Sequence, residues 1–188
     1  MILTPEYLAE QEDCIKRNFE GYKKNIKDVA TKLRLEVLKR FCEGIAPTLS
    51  VGSGGFEPVY IGVTDACDVH PLSGELLKNQ GWKGNFKVCS CDALDYPDLS
   101  FAVAVCSEVI EHLPDLETVK KTFLELDRVA CKWLVTTPCK NVHEPTHKFL
   151  FKFDDLEKLT SGLNIHIDKR GLFWYVYKNE TSIFDRHP

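Results

Sequence analysis

The chain has 188 residues, a length that fits one domain of ordinary size. Apolar residues make up 44% of the chain and charged residues 28%, which is typical of a globular enzyme and excludes a disordered or fibrous chain. The formal net charge of −4 excludes a protein that binds nucleic acids through overall positive charge, although positive charge can still be local.

The cysteines and the apolar runs bear on the cellular compartment in which the protein is expected. The eight cysteines lie mostly within strand-like apolar runs rather than at the spacing of a disulfide framework, so we expect free thiols. Cys89 and Cys91 are interpreted as core filling, because the C-x₂-C spacing of zinc sites is absent. The chain does not open on a signal-like segment, and no apolar run reaches the roughly 18 residues that a membrane span requires. These features predict a cytoplasmic protein that does not enter a membrane.

Two helical segments are predicted before the first strand. Residues 1–24 are polar and acidic, and we expect a short helix or lid there. From Asn25 onward apolar residues recur at helical spacing, and Gly44 and Pro47 provide stop signals. This apolar stripe contains Ile26, Val29, Ala30, Leu33, Val37 and Phe41. We expect residues 1–46 to form a helical cap on the rest of a single domain.

The remainder of the chain alternates between strands and helices. Five short apolar runs predict strands buried on both faces, as in a parallel sheet covered by helices. They span residues 48–51, 66–69, 86–91, 101–106 and 133–137. Helices are predicted between them at residues 73–80 and 115–130, the second with Asp115 as its N-cap.

The last part of the chain predicts one more helix and a hairpin. Asp154 and Glu157 have the spacing of a capping box, and Gly162 is predicted to end that helix. Two β-rich runs, 165–168 and 172–177, predict a terminal antiparallel hairpin. The expected fold class is α/β: a doubly wound, mostly parallel sheet with a terminal antiparallel hairpin, helices on both faces and extra N-terminal helices. Residues 47–188 would form this Rossmann-like core.

Glycines and carboxylates follow the predicted strands at the edge where doubly wound sheets bind ligands. The first strand runs into Gly52, Gly54 and Gly55, which allow a sharp turn and bring backbone N–H groups close to a ligand. Asp68 ends the second strand 16 residues after Gly52, near the spacing at which a carboxylate accepts both hydroxyls of a cofactor ribose. An aspartate there can also simply cap a turn. Because acidic residues follow the next two strands as well, we favour a ribose-bearing cofactor.

Residues 48–138 resemble the core of a class I S-adenosylmethionine-dependent methyltransferase. The resemblance implies that residues 52–55 hold the methionyl part of the cofactor, Asp68 its ribose and Asp92 its adenine amino group. It also implies that the segment after the fourth strand lines the cofactor sulfur and the site of methyl transfer. The cofactor-binding residues that it predicts are Ser50, Gly52, Ser53, Gly54, Gly55, Asp68, Val69, Asp92, Ala93, Ser107 and Glu108.

Two positions bear on the identity of the cofactor. Ser50 stands where this family usually has an acidic residue, and we expect it to bond the methionyl ammonium through a water molecule. NAD-dependent enzymes have a similar beginning, but their G-x-G-x-x-G fingerprint requires glycine where this chain has Glu57. A carboxylate at that position repels a pyrophosphate and suits the positively charged sulfonium of S-adenosylmethionine. The sequence therefore favours S-adenosylmethionine over NAD.

Methyl transfer is an in-line displacement at an activated carbon, so the protein mainly aligns the reactants and, for a hydroxyl nucleophile, removes a proton. Glu108, Glu111 and His112 share one face if their segment is helical, and we predict Glu111 and His112 as catalytic residues. His143 and His147 lie in a later loop that is expected to return to the same edge of the sheet. The predicted acceptor is an oxygen or nitrogen nucleophile of a small molecule or RNA.

The glutamate and histidine set leaves alternatives open. Glu108, Glu111, His112 and His147 offer ligands that Mg²⁺ or Mn²⁺ accepts, a pattern that resembles the metal-dependent RNA terminal ribose 2'-O-methyltransferases. A Glu-His pair after the fourth strand also occurs in metal-free small-molecule O-methyltransferases, where it shapes the pocket or supplies a base. A further alternative is a non-catalytic module of the same fold that binds cofactor or RNA.

The N-terminal helices carry local positive charge. Between residues 16 and 40, nine basic residues face only three acidic ones, with Phe19 and Tyr22 interleaved. We interpret this run as the solvated face of an amphipathic helix, and the alternative is a surface that attracts nucleic acid near the site. The basic residues are Lys16, Arg17, Lys23, Lys24, Lys27, Lys32, Arg34, Lys39 and Arg40.

Overall fold

The computed structural model describes residues 4–25, 28–140 and 144–184. Within these ranges the chain forms helices and strands in alternation. In chain order they are α1 (Pro5–Asn25), α2 (Val29–Cys42), β1 (Thr48–Val51), α3 (Glu57–Ile61), β2 (Asp65–Asp68), α4 (Leu72–Asn79), β3 (Asn85–Val88), β4 (Phe101–Ser107), α5 (Leu116–Val129), β5 (Ala130–Pro138), α6 (Phe153–Leu159), β6 (His166–Arg170) and β7 (Phe173–Lys178). A short 3₁₀ helix at Ile110–His112 follows β4.

The seven strands form one sheet in the order β3-β2-β1-β4-β5-β7-β6. Strands β1 to β5 run parallel, and β7 pairs antiparallel with both β5 and β6. The predicted fold class is therefore confirmed. Because the strand order reverses between β1 and β4, the carboxyl ends of these two strands border the crevice in which doubly wound sheets bind ligands.

Helices cover both faces of the sheet. One face packs against α5 and α6 through fully buried residues such as Phe123 and Leu156. The opposite face packs against α2, α3 and α4, with Leu38 and Leu77 fully buried there. This layered core holds the carboxyl ends of the strands in fixed relation to each other, which a ligand site at that edge requires. Among the described residues no helix has the length and apolar character needed to cross a membrane.

Helix α1 has 21 residues, so the prediction of a short helix was wrong in its length. It begins at Pro5, and the Thr4 hydroxyl oxygen accepts a hydrogen bond from the Tyr7 backbone N–H at 3.2 Å, as in an N-cap. Only a few of its side chains are buried, among them Cys14 and Ile15. The long helix has few apolar residues because it covers a polar cavity rather than the core.

Helix α2 buries a face that overlaps the predicted one only in part: Ala30, Val37 and Phe41 of the predicted stripe pack against the core, and Ile26 lies outside the described residues. Val29 and Leu33, two members of the predicted apolar stripe, are 71% and 62% exposed. The buried residues of the helix are Arg34, Leu35, Leu38 and Cys42. This second stripe also has helical spacing, but it includes an arginine, and a search for apolar residues alone therefore placed the centre of the buried face too far to one side.

The remaining elements lie close to their predicted positions. Asp115 is the N-cap of α5, as predicted, and its Oδ1 accepts a hydrogen bond from the Thr118 N–H at 2.7 Å. Strand β3 ends at Val88, three residues before the predicted end, and the prediction that it is buried on both faces was wrong, because it is an edge strand without a buried residue. All eight cysteines are free thiols, which confirms that prediction.

The start of α6 differs from the prediction. Its first residue is Phe153, and the Lys152 N–H donates to Asp155 Oδ2 at 2.9 Å. The capping carboxylate is therefore Asp155, and the predicted pair of Asp154 and Glu157 was wrong. The helix ends before Thr160, so Gly162 follows that cap by two positions instead of directly ending the helix.

Candidate active site

Two adjoining cavities lie at the carboxyl ends of β1, β2 and β4, beneath α1 and α2. The smaller has a volume of about 90 Å³ and the larger of about 270 Å³. They share part of their lining, so a ligand in one contacts the wall of the other. The shared residues are Cys14, Asn18, Gly55, Glu57, Glu108 and His112. Tyr7, Gln11 and Ile15 of α1 complete the roof of the smaller cavity.

The glycine loop turns away from β1 at the smaller cavity. Gly52 has a left-handed backbone with φ +70°, and a Cβ atom at this position would overlap the side chain of Val109. The backbone N–H groups of Gly52 and Ser53 both donate to the carbonyl of Cys67, at 2.9 and 3.0 Å. The loop is thus tied to β2 and to the segment after β4. Its residues that line the smaller cavity are Gly52, Gly54 and Gly55.

The two serines of this region are buried beside the loop. Ser50 lies within β1 and is 5% exposed, and Ser53 is 3% exposed. The Ser53 hydroxyl donates to the Ser50 carbonyl oxygen at 3.0 Å. Neither serine is among the residues that line the two cavities. In the structure as described, Ser53 stabilises the glycine loop through this hydrogen bond.

Asp68 ends β2 and lines the smaller cavity together with the glycine loop, with its Oδ2 close to Gly54. Its Oδ1 accepts a hydrogen bond from the His70 N–H at 2.9 Å. Burial raises the pKa of this carboxyl group to about 6, although hydrogen bonds from neighbouring residues partly oppose the rise. Asp68 is therefore ionised at neutral pH and can accept hydrogen bonds from ligand hydroxyls.

Three other predicted cofactor residues lie outside both linings: Val69, Asp92 and Ala93. Asp92 accepts a hydrogen bond from the Ser90 hydroxyl. The charges of Asp68 and Asp92 both reach Tyr7, whose pKa is raised, first by burial and then by neighbouring negative groups. Tyr7 thus joins this end of the smaller cavity. Sequence reasoning missed Tyr7 because it lies on α1, far from the glycine loop in sequence.

Glu108 begins the segment after β4 with a left-handed backbone, φ +57°, which is rare outside glycine. Its N–H donates to the Thr136 carbonyl oxygen at 3.0 Å, and its Oε1 accepts a hydrogen bond from the Thr136 hydroxyl at 3.0 Å. Burial raises the pKa of the Glu108 carboxyl group, and the positive charge of Arg34 opposes this. The carboxylate lines both cavities next to Ser107, which lines the smaller.

Arg34 is 5% exposed, and its guanidinium group reaches the site from α2. It donates to the Ser107 hydroxyl and, at 3.3 Å, to Glu57 Oε1, and it lies 5.4 Å above the Phe173 ring. Sequence reasoning assigned Arg34 to a basic face and was wrong about this residue, because burial places it beside the cavities. Its spacing of four residues from the fully buried Leu38 was the signal that pointed inward.

A second group of side chains lies at the larger cavity, around His112. One oxygen or nitrogen atom from each of Glu111, His112 and His147 lies within 4.8 Å of the others. The two imidazole rings have their centres 4.7 Å apart, and His112 Nδ1 is 3.3 Å from the Thr146 carbonyl oxygen. His112 lines both cavities and His147 the larger one, whereas Glu111 is fully buried behind them.

The three side chains of this group have pKa values shifted from their ordinary ones. Burial raises the pKa of Glu111 well above its ordinary value, and Glu108 adds to the rise. Burial and the nearby His147 lower the pKa of His112 to about 4, and burial also lowers that of His147. Both imidazoles are therefore neutral at pH 7. Glu111 Oε2 accepts a hydrogen bond from Thr137, whereas its Oε1 is buried without a partner among the described residues.

The predicted helical face of Glu108, Glu111 and His112 does not form. The left-handed backbone of Glu108 precedes the 3₁₀ helix at 110–112, so its side chain points to Thr136 rather than along that helix. Glu108 is accordingly absent from the group of Glu111, His112 and His147. His143 lies outside the described residues.

No family model matches the sequence, and no curated protein matches it. The fold is similar to that of an S-adenosylmethionine-dependent methyltransferase from Aquifex aeolicus, at 17% identity and a TM-score of 0.65, over 89% of this chain and 96% of that one. It is also similar to 1,6-didemethyltoxoflavin-N1-methyltransferase from Burkholderia thailandensis with bound 1,6-didemethyltoxoflavin and S-adenosylhomocysteine, at 18% identity and a TM-score of 0.60, over 94% and 90% of the two chains.

A third similar structure is magnesium protoporphyrin IX methyltransferase from Synechocystis PCC 6803 with bound S-adenosylmethionine. It has 10% identity and a TM-score of 0.64, over 95% of this chain and 100% of that one. At such identities the similarity concerns the arrangement of helices and strands, and it agrees with the sheet order and the terminal hairpin. The chain has the class I S-adenosylmethionine-dependent methyltransferase fold.

Proposed function

We propose that the protein transfers a methyl group from S-adenosylmethionine to an oxygen or nitrogen nucleophile of a small molecule. The observation that carries the proposal is that the glycine loop and Asp68 line the same cavity, with a larger cavity beside it. Ionised Asp68 would accept hydrogen bonds from the ribose hydroxyls, and residues 52–55 would lie along the methionyl part. Glu108 would place negative charge near the sulfonium.

In this proposal the larger cavity holds the methyl acceptor. S-adenosylmethionine, when bound, supplies a methyl group that its sulfonium activates for displacement. The acceptor nucleophile would attack in line, with the proton leaving as the new bond forms. His112 lines both cavities and has a neutral imidazole at pH 7, so it would orient the nucleophile by accepting a hydrogen bond from it. Glu111 would position that imidazole from behind.

The proposed organisation is a single methyltransferase domain, with residues 1–46 as a cap on a core of residues 47–188. Helices α1 and α2 support this division because they contribute cavity-lining residues, including Tyr7, Asn18 and Arg34. The eight free thiols support a reducing compartment such as the cytoplasm, which is where we propose that the protein acts.

Titration calorimetry with S-adenosylhomocysteine tests the proposed function directly. We expect saturable binding to the purified protein at neutral pH. NADH serves as the matched ligand, since it has the same adenosine group but carries a pyrophosphate, and we expect no binding of it. Absence of heat with S-adenosylhomocysteine at high micromolar concentration would overturn the proposal. If the protein binds S-adenosylhomocysteine but transfers no methyl group from S-adenosylmethionine to any tested small molecule or RNA, the non-catalytic module is favoured.

The group of Glu111, His112 and His147 favours a second candidate, a metal-dependent RNA terminal ribose 2'-O-methyltransferase. Two neutral imidazoles and a carboxylate within 4.8 Å form a donor set that Mn²⁺ or Mg²⁺ accepts, and the unpartnered Glu111 Oε1 would gain a partner. Glu111, His112 and His147 would hold the ion beside the larger cavity, where its positive charge would help to orient a terminal ribose. Glu108, the fourth ligand of the sequence-based hypothesis, would have to leave Thr136 to join.

Thermal unfolding with added Mn²⁺ tests this second candidate. We expect Mn²⁺ to raise the melting temperature of the wild type and not that of His147→Ala, because the variant lacks one of three ligands. His166→Ala is the matched control, since His166 stacks on Tyr177 away from the group, and its shift should equal that of the wild type. An equal shift in His147→Ala would exclude this metal site.

A further inference from the structure

The proposed cofactor carries three charges: a sulfonium, an ammonium and an α-carboxylate. The acidic lining of the two cavities suits the first two, because Asp68, Glu57 and Glu108 all face the cavities. The α-carboxylate requires a cationic partner when it leaves water. Among the described residues that line either cavity, Arg34 is the only lysine or arginine.

Arg34 lies at the boundary between the two cavities. It lines the larger cavity, and its two hydrogen-bond partners, Ser107 and Glu57, both line the smaller one. These residues come from three different elements, so the guanidinium is held by α2, β4 and α3 together. Phe173 of β7 supports it from one side, with the ring centre 5.4 Å from the guanidinium carbon.

The guanidinium retains donors for a ligand. A guanidinium has five N–H donors. Arg34 Nε is buried, so the donors that a ligand can reach are those of the two terminal nitrogens, which have one partner each: Ser107, and Glu57 Oε1 at a long 3.3 Å. Burial opposes the charge of Arg34, but the carboxylates of Glu108, Glu57 and Glu111 outweigh burial and raise its pKa. The remaining N–H donors are costly to bury unless another acceptor completes their bonding.

We propose that Arg34 forms a subsite for the α-carboxylate of S-adenosylmethionine and of its product, S-adenosylhomocysteine. This inference rests on the proposed function. Asp68 and Arg34 then bind the two ends of the cofactor, the ribose at the smaller cavity and the amino-acid group at the boundary with the larger one. Arg34 selects a cofactor with an intact amino-acid end, and its link to Ser107 couples this selection to the strand end beside the methyl group.

A comparison of two ligands tests the carboxylate subsite. The second ligand is S-adenosylhomocysteine without its carboxylate, which keeps the adenosine, the thioether and the amine. We expect Arg34→Met to weaken binding of S-adenosylhomocysteine by about 10- to 100-fold, the range of one charge-assisted contact, and to change binding of the decarboxylated ligand by less than about twofold. A variant that merely disturbed the fold would weaken both ligands alike, and that result would overturn the proposal.

Two further variants complete the test. Arg34→Lys keeps the charge and is expected to show an intermediate preference between the ligands, which gives a readout if Arg34→Met does not fold. Arg40→Met is the matched control, because Arg40 lies on the same helix, is exposed and lines neither cavity. Its two affinities should equal those of the wild type.

The outcomes also separate the source of the carboxylate. If Arg34→Met leaves the affinity for S-adenosylhomocysteine unchanged and instead raises the KM for an acidic acceptor, the subsite belongs to the acceptor and the assignment to the cofactor is wrong. If wild-type protein binds neither ligand, the proposed function itself fails. Binding of both ligands with equal affinity by the wild type would overturn the carboxylate subsite and leave the proposed function standing.

Discussion

Asp68→Ala is expected to weaken binding of S-adenosylhomocysteine about 100-fold, because the variant loses two hydrogen bonds from ribose hydroxyls to a charged carboxylate, each contributing about 1.5 kcal/mol. Asp68 suits this role because it is 7% exposed and lines the same small cavity as the glycine loop. Titration calorimetry at pH 7.5 measures the change.

The matched control for this variant lies on the same strand. Asp65 begins β2 at its opposite end, and its Oδ1 accepts a hydrogen bond from Asn85 Nδ2 at 3.1 Å. Asp65→Ala should bind S-adenosylhomocysteine within about twofold of the wild type, because nothing at that end of the strand faces the cavities. Similar losses in Asp65→Ala and Asp68→Ala would mean that the strand, and not the carboxylate at its end, supports binding.

The raised pKa of Asp68 gives the same site a pH dependence. Since its pKa is about 6, the carboxyl group becomes protonated as the pH falls through that value, and affinity for S-adenosylhomocysteine should fall with it. The ligand-free protein should respond in the opposite direction. A carboxyl group with a raised pKa in the folded state contributes stability that is present below its unfolded pKa of about 3.9 and is lost as the pH rises to about 6, by about 3 kcal/mol at most. Asp68→Asn should show neither dependence.

Gly52→Ala is expected to lower the free energy of unfolding by about 3 kcal/mol and to weaken cofactor binding. Two physical causes act together. The backbone at Gly52 has φ +70°, which costs a residue with a Cβ about 1 kcal/mol, and the added Cβ overlaps the side chain of Val109. Urea unfolding of the variant and the wild type measures the sum of these effects.

Two further variants separate the two causes. Gly62 has φ +80° with open space around its Cβ position, so Gly62→Ala carries the backbone cost without the overlap and should lose about 1 kcal/mol. In the double variant Gly52→Ala with Val109→Ala, the two closest atoms of the overlap are removed and only the Val109 Cβ contact at 3.2 Å remains, so part of the lost stability should return in a double-mutant cycle. If the two changes simply add, Val109 does not restrict the loop in the way inferred here.

The sheet was readable from the sequence because most of its strands lie in short runs rich in apolar residues and these runs alternate with helical patterns. Glycines follow the first predicted strand and Asp68 ends the second. Because the carboxyl ends of parallel strands meet at one edge of the sheet, the sequence correctly predicted that these residues lie together. Strand ends were less exact, as in β3, where apolar residues continue past Val88 after regular pairing has stopped.

The helical part of the site could not be read in the same way. Tyr7 and Arg34 reach the cavities from α1 and α2, which precede the glycine loop, and only tertiary packing brings them there. Arg34 also shows that a charged residue on a buried helix face is invisible to a search for apolar spacing. The position of Glu108 depended on one backbone angle, and no local pattern indicates a left-handed glutamate.

The left-handed backbone of Glu108 sets stability against activity at one position. Glycine would adopt φ +57° without strain and would stabilise the folded chain by about 1 kcal/mol. Glycine would also remove the carboxylate that lines both cavities beside Ser107. Selection for a more stable protein and selection for cofactor binding would therefore choose different residues at position 108. In related chains, a glutamate at position 108 would indicate selection for cofactor binding, and a glycine would indicate that the cofactor site had been lost.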